Sequence, residues 1–546
     1  MRNIHLRYVN EEYDDAGILC RYSMKCPDDF NFAYDVVDDI AVNDPKRRAF
    51  VWCDVRGNEK TMNFAELKKQ SDKAANYFLS LGIGKGDAVM VILKNHYHFW
   101  HVIVALHKIG AVAVPATFML KKHDVEYRVN AASIKAAICV STDGVPETID
   151  SAENIPSLKI KTMLGGSREG WGDLDKGVEE ASDILERIPM RKTDPLLIYF
   201  SSGTSGYPKM VLHDHSYPIG HILTAKHWHD VDPDGLHFTI ADTGWAKVAW
   251  GKIYGQWLME AGVFTYDYDK FIPNDVLDAL SRHKVTTLCC PPTMFRMFLN
   301  DGNIKDHDLS HLKYTTIAGE ALNPDVFNKW YDATGLKLME GFGQTETTVV
   351  ILNLRGMEPR PGSMGKASPQ YVIDIVDPEG NSCPAGVTGE IIVGADPAPI
   401  GLMVGYYRDQ GKTDSTIYGG WHHTGDVAWR DEDGYIWYVG RNDDIIKSSG
   451  YRIGPFEIES VLAHHPAVKE SAVTGVPDDV RGQLVKATII LREGYEPTEE
   501  LKKEIQNFVK KETAPYKYPR VVEFSDALPK TISGKIRRVE IRERDK

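Results

Sequence analysis

The chain has 546 residues, which is too long for one small domain and predicts two or more. Its net charge of −13 argues against a nucleic-acid-binding surface. The seven cysteines are odd in number and scattered, so they indicate neither a disulfide framework nor a zinc site, and a reducing, cytoplasmic location is expected. No stretch approaches the roughly 20 apolar residues of a membrane span, and no apolar signal core follows the N-terminus. No integral membrane segment is expected.

Strand-like and helix-like segments alternate through the first three quarters of the chain. Buried strands are predicted at 87–93, 111–115 and 136–140, and a helix is predicted at 99–109. A similar alternation continues from about 196 to 320. This order is typical of parallel sheets covered by helices. The predicted fold class is therefore α/β, with two parallel-type β-sheets flanked by helices in a large N-terminal domain.

The pattern changes in the last third of the chain. Turn signals such as 377–380 separate short β-rich segments, which predicts a small distorted β-barrel. The last hundred residues are typical of an α+β domain, with a strand at 485–491 and a helix at 498–511 whose first turn is rich in glutamate. We predict a large domain at 1–441 and a small, mobile α+β domain at 442–546.

A loop of small polar residues follows an apolar segment near the middle of the chain. The loop contains Ser201, Ser202, Gly203, Thr204, Ser205 and Gly206, and a lysine, Lys209, follows it. Glycine tolerates positive φ and has no side chain in the way, so backbone N–H groups and hydroxyls can surround phosphate oxygens there. The spacing differs from that of an ordinary P-loop, so the loop alone leaves a linker and a phosphate cradle as alternatives.

Further segments follow this loop in a fixed order. They are Ala318–Ala321, Glu340–Glu346, His423–Asp426, Gly440–Asp444, Ser448–Gly454 and Pro529–Lys535. With the loop, they resemble the motifs of the adenylate-forming superfamily, and the resemblance is closest to its medium-chain acyl-CoA synthetase branch. It covers nearly the whole chain.

The resemblance implies an ATP site, with Mg²⁺ and coenzyme A as further ligands. Glu346 would hold Mg²⁺, because this ion prefers a carboxylate together with phosphate oxygens and water, and Thr345 would offer its hydroxyl to the phosphate. Asp426 would accept hydrogen bonds from both ribose hydroxyls, with Arg441 beside it. The other implied nucleotide contacts, besides the loop, are Gly319, Glu320, Ala321, Glu340, Gly341, Phe342, Gly343 and Gln344.

The resemblance also makes Lys535 the catalytic lysine. In the first half-reaction a carboxylate attacks the α-phosphate of ATP, and a lysine between the two groups stabilises the growing negative charge. In the second, the CoA thiol attacks the acyl-adenylate after the C-terminal domain has rotated about a hinge at Asp443. The residues implied to face CoA are Ser449, Gly450, Tyr451, Arg481, Lys510, Tyr518, Pro519 and Arg520.

Three residues are assigned to the acyl pocket, namely Trp245, Gly343 and Arg452. Acetate-specific relatives carry a tryptophan at the position of Gly343, so glycine predicts a pocket that admits longer or branched acids. Each further buried CH₂ would contribute about 0.8 kcal/mol. Lys247 and Lys252 are interpreted as facing solvent. A charge that reached the pocket would instead favour shorter or more polar acids.

The predicted function is AMP-forming activation of short-to-medium-chain, straight or branched carboxylic acids to their acyl-CoA esters. An aryl-CoA ligase of the benzoate type stays open as an alternative, because aromatic pocket walls allow it. An adenylation enzyme that does not use CoA is the other alternative. The macromolecular partners considered are a second copy of the chain and a lysine acyltransferase, which would remove the charge of Lys535 and stop adenylation.

Overall fold

The structure is a computed structural model that describes residues 3–201, 208–449, 451–531 and 535–545, without the side chain of Arg452. The chain divides into two compact units. The first comprises the described residues up to Val372 together with Gly394–Gly420, and the second comprises Ile373–Val393 and the described residues from Trp421 onward. The predicted domain boundary at 441/442 stays a prediction.

The strands are, in chain order, β1 (Val9–Tyr13), β2 (Leu19–Met24), β3 (Arg48–Asp54), β4 (Glu59–Asn63), β5 (Ala88–Ile92), β6 (Val112–Pro115), β7 (Ala136–Val140), β8 (Ile160–Leu164), β9 (Gly172–Asp173), β10 (Pro195–Ser201), β11 (Lys209–Asp214), β12 (Leu236–Thr239), β13 (Gly262–Asp267), β14 (Thr287–Cys290), β15 (Tyr314–Ile317), β16 (Leu338–Gly343), β17 (Val349–Leu352), β18 (Lys366–Ala367), β19 (Ile373–Val376), β20 (Gly389–Gly394), β21 (Gly405–Tyr406), β22 (Ile417–Tyr418), β23 (Trp421–Arg430), β24 (Ile436–Arg441), β25 (Ile446–Ser448), β26 (Tyr451–Ile453), β27 (Val468–Asp478), β28 (Gly482–Leu491) and β29 (Val521–Phe524).

The α-helices are α1 (Asp39–Asn43), α2 (Phe64–Ser80), α3 (His98–Ile109), α4 (Lys122–Ala132), α5 (Val145–Ser151), α6 (Leu174–Glu180), α7 (Tyr217–Leu223), α8 (Lys247–Gly251), α9 (Tyr254–Leu258), α10 (Pro273–Arg282), α11 (Pro292–Asp301), α12 (Pro324–Thr334), α13 (Gln410–Asp414), α14 (Pro455–Leu462), α15 (Glu499–Glu512) and α16 (Arg538–Arg544). Short 3₁₀ turns lie at Ile4–Arg7 and Ile304–Asp306, and π-helical turns lie at Ala33–Asp38 and Thr224–Trp228.

The first unit contains two large, mainly parallel sheets. One has the order β21-β11-β10-β6-β5-β7-β8-β9, in which β5 to β10 pair in parallel and β10 and β11 form an antiparallel hairpin. Strands β5 and β7 are buried along their whole lengths. The predicted strands at 87–93, 111–115 and 136–140 correspond to β5, β6 and β7, and the helix predicted at 99–109 corresponds to α3.

The second sheet of this unit has the order β18-β17-β16-β15-β14-β12-β13-β3-β4. Strands β14, β15 and β16 pair in parallel, so the segments that follow β15 and β16 leave the sheet at the same edge. These segments are 318–321 and 344–346, two of the motifs picked out in the sequence. Ligands of open α/β sheets bind at the carboxyl ends of parallel strands.

The second unit is built from smaller sheets. Strand β19 pairs with β20, and β23 pairs with β24, both in antiparallel register. A turn at 377–380 follows β19, and a turn at 431–434 connects β23 to β24. A further sheet has the order β26-β25-β28-β27, with β29 parallel to β28. Helix α15 begins at a Thr498 cap that accepts a hydrogen bond from the Leu501 amide, and it packs its apolar face on this sheet. The predicted strand at 485–491 and helix at 498–511 correspond to β28 and α15.

Candidate active site

Glu346 follows β16 and is held by a residue that sequence reasoning missed. Its Oε1 accepts a hydrogen bond of 2.8 Å from the hydroxyl of Tyr406, and its backbone oxygen accepts one from the Met403 amide at 2.7 Å. Glu346 and Tyr406 are both buried. The backbone oxygen of the neighbouring Thr345 lies 2.8 Å from His213 Nε2. The end of the 340–346 motif is thus fixed by contacts from β11 and β21.

Tyr406 also connects this motif to the predicted phosphate loop. The ammonium of Lys209 lies 5.3 Å from the centre of the Tyr406 ring, a cation–π distance. Lys209 pairs with Ser201 across the β10–β11 hairpin, so the two ends of the predicted loop face each other. Ser202, Gly203, Thr204, Ser205 and Gly206 lie outside the described residues.

The segment after β15 lies beside the start of the same motif. The Leu322 amide donates to Glu340 Oε1 at 3.3 Å, and the Lys247 ammonium donates to the Ala318 carbonyl oxygen at 2.7 Å. Gly319 has a φ of 105°, a value that favours glycine. Glu320 accepts a hydrogen bond of 2.9 Å from the Thr293 hydroxyl. The predicted adenine-lining segment 319–321 is therefore tied to neighbouring elements.

Glu340 is buried in an apolar setting. Burial raises the pKa of Glu340 to about 8, and the bond from the Leu322 amide opposes that shift. Within the described part of the chain its Oε2 has no hydrogen-bond partner. Glu340 therefore carries a proton at neutral pH. It braces the start of the motif as a neutral acid.

Two tryptophans occupy the space beside two glycines of the motif. A β-carbon on residue 341 would lie 2.6 Å from the Trp228 indole, and one on residue 343 would lie 2.6 Å from Cη2 of Trp250. The two indoles meet edge to face, with ring centres 6.0 Å apart. The extra room predicted from Gly343 is thus occupied by the Thr348 carbonyl oxygen, which is the atom nearest to a β-carbon placed there, and by Trp250. The reason is that the indole packs into the volume that glycine leaves empty.

The segment before and within α8 carries the other acyl-pocket residue. Trp245 is half-buried in the turn that precedes α8, and its backbone oxygen accepts from the Val248 amide at 3.1 Å. The interpretation that both nearby lysines face solvent is wrong, because the half-buried Lys247 donates to the Ala318 carbonyl oxygen and Lys252 is 1% exposed. Its ammonium is satisfied by internal oxygen atoms instead. Arg452 was assigned to the same pocket, and its side chain lies outside the described structure.

In the second unit, Asp426 and Arg441 face each other across β23 and β24. Asp426 is buried, and its carboxylate accepts from the Tyr438 hydroxyl at 3.0 Å and from Arg441 at 3.5 Å. Nearby, Glu390 accepts from the Gly425 amide at 2.9 Å. Sequence reasoning missed Tyr438 and Glu390, which lie on strands outside the motif and within the same sheet. The two residues hold the aspartate and the glycine that precedes it in β23.

The predicted hinge residue, Asp443, lies in the turn after β24. Its carboxylate is 3.8 Å from Arg441 Nε. The adjacent Asp444 pairs with Arg542 at 2.5 Å and with Arg538 at 3.7 Å, both on the helix that follows Lys535. The two neighbouring aspartates therefore contact different parts of this unit.

The predicted CoA-facing residues form three local groups. Ser449 has a φ of 51°, and the Arg481 guanidinium donates to its hydroxyl at 3.1 Å while its amide donates to the Arg481 carbonyl at 2.9 Å. Tyr451 stacks on Tyr516, with ring centres 4.0 Å apart. The third group lies around Tyr518, whose ring centre is 5.5 Å from the Lys510 ammonium and 4.8 Å from the Arg520 guanidinium. Pro519 lies between Tyr518 and Arg520 in the sequence. Gly450 lies outside the described residues.

Lys535 lies at the end of a short hairpin and is exposed. Lys530 and Ile536 form a β-bridge, and the Thr531 amide donates to the Lys535 carbonyl oxygen at 2.7 Å. The Lys535 amide donates to the Thr531 hydroxyl at 3.1 Å. The backbone is thus hydrogen-bonded on both sides of residues 532–534, which lie outside the described residues.

Metal and membrane features are limited in the described structure. Among the described residues, no group of three or more His, Cys, Asp or Glu side chains is arranged to hold a metal ion. No described helix is long and apolar enough to cross a membrane. His213 packs against Tyr217 with ring centres 3.7 Å apart, which agrees with a structural role.

Comparisons with known proteins agree with this arrangement. Residues 37–407 match the family model described as AMP-binding enzyme, and residues 457–535 match the model of its C-terminal domain. The chain is 41% identical to the mitochondrial acyl-coenzyme A synthetase ACSM3 of Homo sapiens, over 96% of this chain and 91% of that protein. It is similar in structure to the anthranilate CoA ligase AuaEII in complex with anthranoyl-AMP, with a TM-score of 0.86, 29% identity, and 95% and 98% of the two chains covered. It is also similar to an acyl-CoA synthetase of Brucella canis, with a TM-score of 0.74, 30% identity and 95% of each chain covered.

The chain therefore belongs to the AMP-binding enzyme family. It is an acid–thiol ligase of the acyl-CoA synthetase class, as the resemblance of its motifs predicted. The predicted fold class, an α/β chain with two large parallel-type sheets and a smaller α+β part, is confirmed.

Proposed function

We propose that this protein converts short-to-medium-chain, straight or branched carboxylic acids to their acyl-CoA esters through an acyl-adenylate. ATP supplies the adenylyl group, pyrophosphate leaves in the first half-reaction, and AMP leaves in the second. The family membership and the 41% identity to an acyl-coenzyme A synthetase support the reaction type. The close packing of Trp250 at the position of Gly343 is the observation that supports the proposed chain length of the acid.

The residues around Glu346 fit a magnesium site of the kind that nucleotide phosphates complete. Mg²⁺ is commonly bound through one or two carboxylates together with phosphate oxygens and water. Glu346 offers one carboxylate, fixed by Tyr406, and Thr345 offers a hydroxyl beside it. Glu346 would hold the ion, which when bound neutralises phosphate charge. Lys209 and the loop that it ends would hold the phosphates.

Lys535 is proposed to stabilise charge in the first half-reaction. The acid's carboxylate oxygen attacks the α-phosphorus, the bond to the pyrophosphate oxygen breaks, and negative charge grows on the phosphoryl group and on the leaving group. An ammonium between the carboxylate and the phosphate lowers the energy of that state. Asp426 and Arg441 would bind the ribose, and the 319–321 segment would line the adenine.

The second half-reaction is proposed to use another face of the C-terminal region. After rotation about Asp443, the groups around Ser449, Tyr451 and Tyr518 would face CoA. The thiol attacks the acyl carbonyl, the acyl–phosphate bond breaks and AMP leaves. The exposed, stacked rings of Tyr451 and Tyr516, and the cations Lys510 and Arg520 beside the Tyr518 ring, are suited to a ligand that combines a base with phosphates.

The acyl pocket supports acids at the short end of the proposed range. Trp250 lies beside Gly343 and packs edge to face on Trp228, which lies beside Gly341, and we propose that these indoles form aromatic walls of the acyl pocket. A short or branched chain fits such walls, whereas a long chain would have to displace an indole. Overfilling a packed site typically costs about 1–3 kcal/mol.

The test is CoA-dependent AMP release with Mg-ATP across acetate, propionate, butyrate, 2-methylbutyrate, hexanoate, octanoate and benzoate. The expected result is a maximum at about four to six carbons, because each added CH₂ gains roughly 0.8 kcal/mol until the aromatic wall is reached. A maximum at benzoate would favour the aryl-CoA ligase alternative. AMP release without a CoA requirement would contradict the proposed function.

The role of Lys535 has its own test. In Lys535→Ala, adenylation should fall by about 10²–10³-fold, while thioester formation from supplied acyl-adenylate should change much less. Lys530→Ala is the matched control, because Lys530 lies in the same hairpin and pairs with Glu470. Equal loss of both half-reactions in Lys535→Ala would contradict the assigned role.

Location and macromolecular partners belong to the same proposal. A cytoplasmic location, a homodimer and acylation of Lys535 by a lysine acyltransferase remain predictions, and the ACSM3 relative is named as mitochondrial. Exposure of Lys535 supports access for a modifying enzyme. Subcellular fractionation, light scattering of the pure protein and mass spectrometry of Lys535 test the three points separately.

A further inference from the structure

Lys252 is a buried lysine for which the proposed reaction has no use. Its residue is 1% exposed, and its ammonium donates to Asn95 Oδ1 at 2.8 Å and to the Ala241 carbonyl oxygen at 2.5 Å. Burial of an ammonium is unfavourable unless its donors are satisfied by acceptors. Burial lowers the pKa of Lys252 to about 7, and the charges of Asp242 and Asp267 oppose that shift. The hydrogen bonds of the Lys252 ammonium therefore offset the cost of its burial.

These contacts close a loop in the chain. Ala241 lies eleven residues before Lys252, so the ammonium joins the two ends of the segment 241–252, here called the pocket loop. The pocket loop carries Trp245 and Trp250. Asn95 belongs to the segment after β5, so the same ammonium also fastens the pocket loop to the first sheet.

The start of the pocket loop is packed against the same sheet. A β-carbon on residue 244 would clash with the backbone of Ala116 and Thr117, which follow β6. The hydroxyl of Thr243 donates to the Lys94 carbonyl oxygen. The beginning of the loop is thus fixed by backbone packing. Its end is held by the Lys252 side chain together with the Trp100 indole, which donates to the Lys252 carbonyl oxygen at 2.7 Å.

The end that Lys252 fixes is the end that bears Trp250. Only Gly251 separates the two residues, and a β-carbon on residue 251 would clash with Thr239, so the backbone there is tightly packed. A shift of the Lys252 backbone would move the indole that fills the space beside Gly343. We propose that Lys252 is a positioning residue for acyl-group selection, which closes the pocket loop and thereby fixes Trp250 against Gly343. This inference rests on the proposed function.

A second buried lysine provides a matched control. Lys108 is 0% exposed, and its ammonium lies 2.7 Å from Asp38 and 2.6 Å from Asp72. It lies on α3, outside the pocket loop. Lys108→Met removes a buried ammonium just as Lys252→Met does. It leaves the contacts between Lys252, Asn95 and Ala241 in place.

The experiment compares the full-length wild type, Lys252→Met, Lys108→Met and Asn95→Ala. The measured quantity is the ratio of kcat/KM for hexanoate to kcat/KM for butyrate, together with the KM for ATP. In Lys252→Met the ratio should rise by about five-fold or more, because an indole that is no longer fixed excludes the longer acid less strongly. A fixed hydrophobic wall discriminates one methylene by roughly 10–200-fold. The KM for ATP should stay within about two-fold, since uniform nucleotide binding is untouched.

Asn95→Ala removes only one partner of the ammonium and should shift the ratio in the same direction by a smaller factor. It provides the test if Lys252→Met does not fold. Lys108→Met should keep the wild-type ratio even if it lowers stability. An unchanged ratio in both Lys252→Met and Asn95→Ala, or an equal shift in Lys108→Met, would overturn the inference while leaving the proposed function intact. A wild type that forms no acyl-CoA from any acid would overturn both.

Discussion

Glu340 and Glu346 begin and end one seven-residue motif, yet their surroundings differ. Glu340 is buried with one amide donor, and burial raises its pKa to about 8, so it is a neutral acid at pH 7. Glu346 accepts a hydrogen bond from a tyrosine hydroxyl whose ring also contacts the Lys209 ammonium. The start of the motif braces the sheet, whereas its end presents a carboxylate. Identical residues in one motif can therefore have different roles, and the contacts decide which.

The same substitution at the two positions should separate these roles. Glutamine keeps the shape of glutamate and removes its ability to carry negative charge. A neutral acid can be replaced by an amide with little loss. A carboxylate that holds a metal ion cannot be replaced in this way.

The largest effect is expected for Glu346→Gln. Loss of the metal-binding carboxylate should lower kcat for adenylation by about 10²–10³-fold, a range typical for removing one electrostatic stabiliser of a transition state. The concentration of Mg²⁺ required for half-maximal rate should rise as well. The measurement is a magnesium titration of pyrophosphate release, with Glu358→Gln as a surface control. A normal magnesium requirement in Glu346→Gln would remove the proposed difference between the two glutamates.

Tyr406→Phe should give a smaller loss of the same kind. The hydroxyl that donates to Glu346 disappears, while the ring that contacts Lys209 stays. A hydrogen bond to a charged group contributes about 1.5–3 kcal/mol, which corresponds to roughly 10–100-fold in rate. Tyr407→Phe is the control on the neighbouring residue. If Tyr406→Phe matches wild type in kcat and in magnesium dependence, the tyrosine does not position Glu346.

Local parts of this molecule could be predicted from the sequence, and long-range contacts could not. Strands β5 to β7 and helix α3 follow from the spacing of apolar residues, and the motif 340–346 is contiguous. Tyr406 reaches Glu346 across sixty residues, because β21 pairs with β11 in antiparallel register. No spacing in the sequence encodes that pairing.

The acyl side shows the same limit in another form. Glycine at position 343 indicates space beside the backbone, but the sequence does not say which neighbouring residue fills that space. Trp250 does so from a helix almost one hundred residues earlier in the chain. Lysine is ordinarily exposed, so Lys252 was expected in solvent. Its burial depends on Asn95 and on a backbone oxygen, which only the folded loop brings together.

The smallest effect on catalysis is expected for Glu340→Gln. The rate at pH 7 should stay within about three-fold of wild type, since an amide replaces a carboxyl that is already neutral. Stability should reveal the difference instead. The folded-state pKa of Glu340, about 8, lies above its ordinary value of 4.5, so its contribution to the free energy of unfolding is present at low pH and is lost as pH rises through about 8.

Urea unfolding of both proteins at pH 6 and pH 9 measures this directly. The wild type should lose stability relative to Glu340→Gln between the two pH values, because a buried carboxyl must then ionise without a second hydrogen-bond donor, whereas the amide stays neutral. An equal change in both proteins would mean that Glu340 is ionised in the folded state at neutral pH. The rate at pH 7 would then be expected to fall in Glu340→Gln as it does in Glu346→Gln, and the two ends of the motif would share one chemistry.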